Sequence, residues 1–186
     1  MEPKKGTEHS QTSGRVLWIT GLSGSGKTTL AKETVRQLRE HSSAVVSLDG
    51  DRLREMFVIE AAKRESFEHK GRLKLAMQYA HLCKILSTQG FTVVIATISM
   101  FREVYGWNRS HLPGYFEVYL KVPVEELRRR DSKGIYSRYD AGRLQNVAGL
   151  DLNVDEPEKP DFEVDIKSTR CIALLASQLI HKFQAG

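Results

Sequence analysis

A three-layer α/β fold, with helices on both faces of a five-stranded parallel sheet, is the class that the sequence predicts. Two observations lead to it. Short apolar, β-rich runs alternate with longer segments of helical spacing, the order expected of parallel strands joined by crossover helices. One run, Phe91 to Ile98, is nearly all apolar, as a central strand covered on both faces must be. A chain of 186 residues is long enough for one domain with its own core.

The elements follow in order along the chain. Val16 to Thr20 is the first strand. Thr28 to His41 has helical spacing, with Leu30, Thr34, Val35 and Leu38 on one side. Ala44 to Leu48 is the second strand and Asp51 to Ile59 a short helix. Leu73 to Gln89 is a long helix whose apolar positions are Leu75, Ala76, Tyr79, Leu82, Cys83 and Leu86, and Gly90 closes it. His111, before Leu112 and Pro113, marks another helix end. Tyr115 to Val122 is a fourth strand. Val124 to Arg130 and Asp140 to Asn146 are expected as short helices around a mobile segment. Phe162 to Ile166 is a candidate edge strand, and Ser168 to Phe183 a closing helix. Residues 1–14 are polar and read as a flexible tail, with residues 15–186 as a single domain.

Composition narrows the partners. The formal net charge is +5, which suits anionic ligands. Much of the excess sits at Arg128, Arg129, Arg130 and Lys133. No aromatics interleave there, so a nucleic-acid track is not expected, and small phosphorylated molecules fit better. No apolar run reaches the roughly 18 residues of a membrane span. The start lacks the apolar stretch of a secretory signal. Cys83 and Cys171 form neither a disulfide framework nor a metal spacing, so a reducing cytoplasm is expected.

The strongest signal is Gly21-Leu22-Ser23-Gly24-Ser25-Gly26-Lys27-Thr28, which meets every fixed position of G-x-x-x-x-G-K-[ST]. A strand precedes it and a helix follows. Glycines let the backbone wrap a phosphate so that successive N–H groups face its oxygens, and the helix N-terminus adds partial positive charge. Gly21, Ser23, Gly24, Ser25 and Gly26 therefore form a candidate ATP cradle, a P-loop of the NTPase type. Lys27 can bridge the β- and γ-phosphates and is expected to have no structural partner in the protein. Thr28, with Thr29 beside it, can offer a hydroxyl to Mg²⁺.

The second strand ends in Leu48-Asp49-Gly50-Asp51-Arg52-Leu53-Arg54, at the edge of the sheet where ligands bind. Two carboxylates there can hold a metal-bound water or accept a hydroxyl proton, and Arg54 can bind an anionic acceptor. Asp51 is also a good helix N-cap. The run Phe91 to Ile98 carries no acid at its end, where P-loop enzymes commonly place a metal-binding aspartate. Asp51 is the candidate to supply that acid, which favours the catalytic reading.

These residues resemble the adenylylsulfate (APS) kinase family. The resemblance rests on Leu17 to Lys27, on Asp49-Gly50-Asp51-x-x-Arg54, and on Ile98-Ser99 with Arg102. Further on, Arg130-Asp131-x-Lys133-Gly134-Ile135-Tyr136 is similar to that family's lid, and Gly149-Leu150-Asp151 with Pro157 to a later motif. The match runs from Arg15 to about Asp161. It implies an enzyme that uses ATP and Mg²⁺ to phosphorylate the ribose 3′-hydroxyl of APS, giving PAPS, and it implies a homodimer. Carried over, Lys27 and Thr28 meet ATP and metal, and Asp51 serves as general base or metal partner. Arg130 closes over ATP within a basic lid. Asp49, Arg54, Arg72, Ser99, Arg102 and Lys133 face the acceptor. Phe67, five residues before Arg72, matches one of two phenylalanines that enclose the acceptor's adenine.

Departures cluster on the acceptor side. Ser99-Met100-Phe101-Arg102 stands for serine-proline-tyrosine-arginine. Tyr105 replaces an arginine, although Arg109 remains. Leu75 replaces an asparagine, and Val147 the second stacking phenylalanine. The expected function is transfer of the ATP γ-phosphate to a nucleotide-linked acceptor, APS first by resemblance. A cytidine diphosphoramidate is the alternative acceptor. A nucleotide-binding regulator and a polynucleotide end kinase are the readings from other classes. The complete set Lys27, Thr28, Asp51, Arg54 and Lys133 argues against the regulator, and the compact basic cluster against the end kinase.

Overall fold

The structure is a computed structural model that describes residues 14–57, 67–165 and 171–186. The expected tail, apart from Gly14, lies outside the described residues. So do the expected helix end at Val58 and Ile59, the strand end at Ile166 and the helix start at 168–170. The element order is β1 (Val16–Thr20), α1 (Lys27–Arg39), β2 (Val45–Asp49), α2 (Gly50–Phe57), α3 (His69–Thr88), β3 (Thr92–Ala96), α4 (Arg102–His111), β4 (Tyr115–Lys121), α5 (Val124–Arg130), α6 (Ile135–Asp140), β5 (Phe162–Asp165) and α7 (Ile172–Ala185). The strands form one sheet in the order β2-β3-β1-β4-β5. Every described pairing is parallel. The three-layer α/β class is therefore as expected.

Alternation along β1 builds the two outer layers. Leu17 and Ile19 pack with Leu30, Val35 and Leu38 of α1 and with Leu175, Leu179 and Phe183 of α7. Val16 and Trp18 face the other way, toward Leu53 of α2, Leu75 and Tyr79 of α3, and Val104 of α4. All five residues of β1 are buried, so its carboxyl end is a rigid base for the loop that follows. A third apolar cluster lies over that end. It joins Leu22, Met100, Tyr105, Tyr119, Val122, Leu127, Tyr136 and Ala148, and thus ties α5 and α6 to the loop after β1.

Two elements differ from the sequence reading. The helix expected at Asp140 to Asn146 is instead α6, Ile135–Asp140. Asp131 accepts the N–H groups of Tyr136 and Ser137 at 2.9 and 3.0 Å and so caps this helix. Asp140 closes it, its carboxylate paired with Arg128 at 2.9 Å. Beyond it, Gly142 and Asn146 have positive φ, which ends helical winding. The second difference is α4, of which the sequence showed only the end at His111. Asp155 accepts the Arg102 N–H at the start of α4. Arg109, near its other end, pairs with Asp161 at 2.8 Å and with the buried Glu117 of β4 at 3.2 Å. These pairs give Arg109 a bracing role that does not involve the acceptor.

Gly50 sets how closely α2 approaches the sheet. A Cβ there would lie 2.7 Å from Thr97 Oγ1 and 3.2 Å from Thr97 Cα. Thr97 is itself buried, so it cannot yield cheaply. Gly50→Ala is expected to destabilise the protein by about 1–3 kcal/mol, the usual consequence of overpacking. Chemical denaturation of the two proteins would measure it, and unchanged stability would mean that α2 can shift freely.

Candidate active site

The carboxyl ends of β1, β2 and β3 open into a cleft of about 290 Å³. Its walls come from the P-loop, the start of α2, α3, the 96–101 segment, the lid around Arg130 to Lys133, and the 148–154 loop. Each wall has a local reason for its shape. Gly26 is left-handed, with φ of 97°, where it leads into α1. Gly21 has a φ of 147°, and a Cβ there would meet the Leu120 carbonyl at 2.7 Å. Both positions accept glycine with least strain. Ser23, Gly24, Gly26, Lys27, Thr28 and Thr29 line the cleft. Ser25 is fully buried beneath it.

Lys27 does have a partner, contrary to the sequence expectation. Its ammonium donates to the Leu22 carbonyl at 2.7 Å and to Ser25 Oγ at 3.4 Å. Burial, reinforced by Lys133 nearby, pushes the Lys27 ammonium down to about 7, against smaller opposing effects of Asp51 and Asp49. A neighbouring phosphate would favour its charged form.

The two aspartates after β2 divide their contacts. Asp49 Oδ2 accepts the Thr28 hydroxyl at 3.0 Å, and Oδ1 accepts the Asp51 N–H at 3.0 Å and the Arg52 N–H at 3.4 Å. Asp49 is thus the residue that caps α2, and Asp51 is free of that duty. Asp51 Oδ2 instead accepts the Lys133 ammonium at 2.6 Å. Burial alone would raise the Asp51 carboxyl. The hydrogen bond and charge of Lys133, with Lys27 and Arg54 behind, outweigh it and hold the group below the usual carboxylate range. Thr28, Asp49 and Asp51 line the same cleft and offer hard oxygen donors of the kind that suit Mg²⁺. Among the described residues no group of three acidic, histidine or cysteine side chains could hold a metal alone.

On the acceptor side, Arg54, Arg72 and Ser99 line the cleft, together with Arg130 and Lys133 of the lid. Arg54 lies over the Phe67 ring at 4.7 Å, and Arg72 at 5.7 Å. Arg72 also donates to the Phe67 carbonyl at 2.7 Å and to the Asn146 carbonyl at 2.6 Å. Its guanidinium is lowered to about 10, first by burial and then by Arg54. Ser99 has a φ of 29° and shares a 2.8 Å hydrogen bond with Thr97. Arg130 is held by Glu126 at 2.7 Å. Three candidates stand off the cleft wall. Arg102 points outward to Glu158, at 3.3 Å. Val147 is buried behind the 148–154 loop, its N–H on Asp151. Phe67 lies beyond Arg54 and Arg72.

The cleft also brings in residues that sequence reasoning passed over. Tyr79, read there as part of an apolar helix face, donates its hydroxyl to the Gly50 carbonyl at 3.3 Å. Thr97, Ser132 and Asn153 also line it, beside Met100 and Phe101, which the sequence had placed among the acceptor-side departures. Ser132 was detectable from its place beside Lys133, but Asn153 carries no local signal.

Known proteins share this arrangement. The adenylylsulphate kinase family model matches residues 13–165. A cytidine diphosphoramidate kinase from Campylobacter jejuni is 38% identical over 143 residues, 77% of this chain and 81% of that protein. A probable adenylyl-sulfate kinase from Pyrococcus abyssi is 32% identical over 153 residues, 82% of this chain and 85% of the relative. Among solved structures, the Mycobacterium tuberculosis APS kinase in complex with AMPPNP and APS superposes with a TM-score of 0.82. It is 29% identical and covers 92% of this chain and 98% of its own. The P-loop, the lid and the parallel sheet agree with these matches, and the chain belongs to the adenylylsulphate kinase family, as an ATP- and Mg²⁺-dependent kinase.

Proposed function

We propose that this kinase transfers the γ-phosphate of ATP to the ribose 3′-hydroxyl of a cytidine diphosphoramidate. The observation that carries the choice of acceptor is a wall without a second aromatic. Phe67 stands behind Arg54 and Arg72, off the cleft wall, and the position of the family's other phenylalanine, Val147, is a buried aliphatic residue that does not reach the cleft either. A second aromatic slab would be worth ~1–3 kcal/mol to a stacked base, and its absence favours the smaller pyrimidine. Tyr105, where the family pattern has arginine, is buried and donates to the Asp155 carbonyl at 3.1 Å. The 38% identity to the Campylobacter enzyme points the same way. APS is the second reading, favoured by the family match and by the 0.82 superposition on an APS-bound enzyme. The proposal carries with it a homodimer and a cytoplasmic setting.

In this mechanism the P-loop N–H groups and Lys27 hold the β- and γ-phosphates. Arg54 and Arg72 hold the acceptor's diphosphate, and Asp51 orients its 3′-hydroxyl. The hydroxyl oxygen forms the new P–O bond as the bond to ADP breaks, and Asp51 or a water it holds takes the proton. A weakly basic carboxylate suffices, because a loose phosphoryl-transfer transition state needs positioning more than proton abstraction. Arg130 and Lys133 stabilise the developing charge and exclude water from above. Thr28, Asp49 and Asp51 would hold Mg²⁺, which when bound supplies charge neutralisation across the phosphates.

Two outcomes test this. Asp51→Asn is expected to lower kcat by at least ~100-fold with little change in KM for ATP. Because Asp49 caps α2, the melting temperature should barely move. A variant with near-parental kcat would remove Asp51 from the chemistry. Side-by-side kcat/KM values for the two acceptors test the rest. The cytidine diphosphoramidate should be preferred to APS by about tenfold, the equivalent of ~1.4 kcal/mol. A comparable preference for APS would overturn the acceptor and leave the kinase assignment standing.

A further inference from the structure

Tyr136 is a lid residue, in α6, but its hydroxyl reaches the P-loop. It donates to the Ser23 carbonyl at 2.9 Å. The ring is almost fully buried in the cluster that contains Leu22, Met100 and Leu127. The backbone of Tyr136 is also fixed, through its N–H on the Asp131 carboxylate at 2.9 Å. Arg128 pairs with Asp140 at 2.9 Å and binds α5 to α6. The hydroxyl is therefore held at a defined point by elements far along the chain from the loop it touches.

The peptide bond makes that contact informative. In a planar trans peptide the C=O and the N–H of the next residue point in opposite directions. Anchoring the Ser23 carbonyl toward Tyr136 turns the Gly24 N–H the other way. Gly24 lines the cleft together with Gly26, Lys27 and Thr28. Gly24 has a φ of 79° and thus sits in the backbone region where this peptide plane would rotate most easily. The preceding plane is anchored in the same manner, by the Lys27 ammonium on the Leu22 carbonyl at 2.7 Å. Two successive planes of the cradle are thus fixed by side-chain donors.

We propose that Tyr136 is a positioning residue for the phosphate cradle. Its hydroxyl locks the Ser23–Gly24 peptide plane so that the Gly24 N–H faces the β-phosphate of the bound nucleotide. The lid that carries Arg130, Ser132 and Lys133 thereby shares a hydrogen bond with the loop it covers. This inference rests on the ATP site of the function proposed above and is independent of the acceptor.

The test compares ADP with AMP, which lacks the β-phosphate, by calorimetry on the full chain with Mg²⁺. Tyr136→Phe keeps the ring in its apolar cluster and removes only the hydroxyl. It should weaken ADP about tenfold, as expected for a part-buried carbonyl left without its donor, and change AMP by less than about twofold. Asp131→Ala, which releases the α6 N-terminus but keeps the Tyr136 hydroxyl, should show the same ADP-selective loss at about threefold. Loss of ADP and AMP affinity to the same extent would make Tyr136 a packing residue and overturn the proposal. So would an unchanged affinity for ADP in Tyr136→Phe.

Discussion

A cradle built from backbone N–H groups works only if its peptide planes cannot rotate. Glycine is needed for the loop to wrap a phosphate, yet glycine is the residue least able to hold a plane in place. In this chain the planes are held from outside. Behind the loop stands β1, with no residue exposed. The Leu22 carbonyl takes the Lys27 ammonium and the Ser23 carbonyl takes the Tyr136 hydroxyl. Leu22 itself is packed under the lid, and a Cβ on Gly149 would lie 2.8 Å from its side chain. The loop, the lid and the start of the 149–155 segment consequently form one packed unit.

The charged mouth of the cleft depends on that apolar unit. Lys133 crosses from the lid to Asp51 on α2, while Lys27, Arg54 and Arg72 converge from other elements. Burial first, and then mutual repulsion, lowers the Lys27 and Arg72 groups. Such a cluster stores unfavourable energy that an anionic ligand relieves. The burial of Leu127 and Tyr136 beneath the lid supplies the compensating stability.

The acceptor wall is built differently. Residues 146–161 combine the apolar packing of Ala148, Leu150 and Val154 with a set of polar anchors. Asp151 accepts the N–H groups of Asn146 and Val147. Asp155 binds the 100–105 turn through the Arg102 N–H, the Met100 carbonyl and the Tyr105 hydroxyl. Asp161 anchors the end through Arg109 and the Glu117 N–H. A wall supported by a few polar anchors can change its side chains without disturbing the core. The departures from the family pattern at Met100, Tyr105 and Val147 lie on or against it.

By itself the sequence determined whatever depends on neighbours along the chain. The buried run of β3, the short β-rich run of β1 and the glycine spacing of residues 21–28 are local patterns, and the strands, the P-loop and its cleft were legible from them. So were most residues that share the cleft, because they follow strand ends in a parallel sheet. Tertiary structure alone decided which aspartate does what. Residues 49 and 51 both suit an N-cap, and only the approach of Lys133 from 82 positions away assigns Asp51 to the lid. It also decided that Arg109 braces Asp161 and Glu117 while Arg102 turns outward. The start of α6 escaped the local pattern for a similar reason. Its cap, Asp131, lies in a left-handed turn after α5, a conformation with little signature in residue type. Contacts such as Tyr136 to Ser23, 113 positions apart, exist only once packing has brought the lid over the sheet, because a hydroxyl has no preferred partner until its surroundings are fixed.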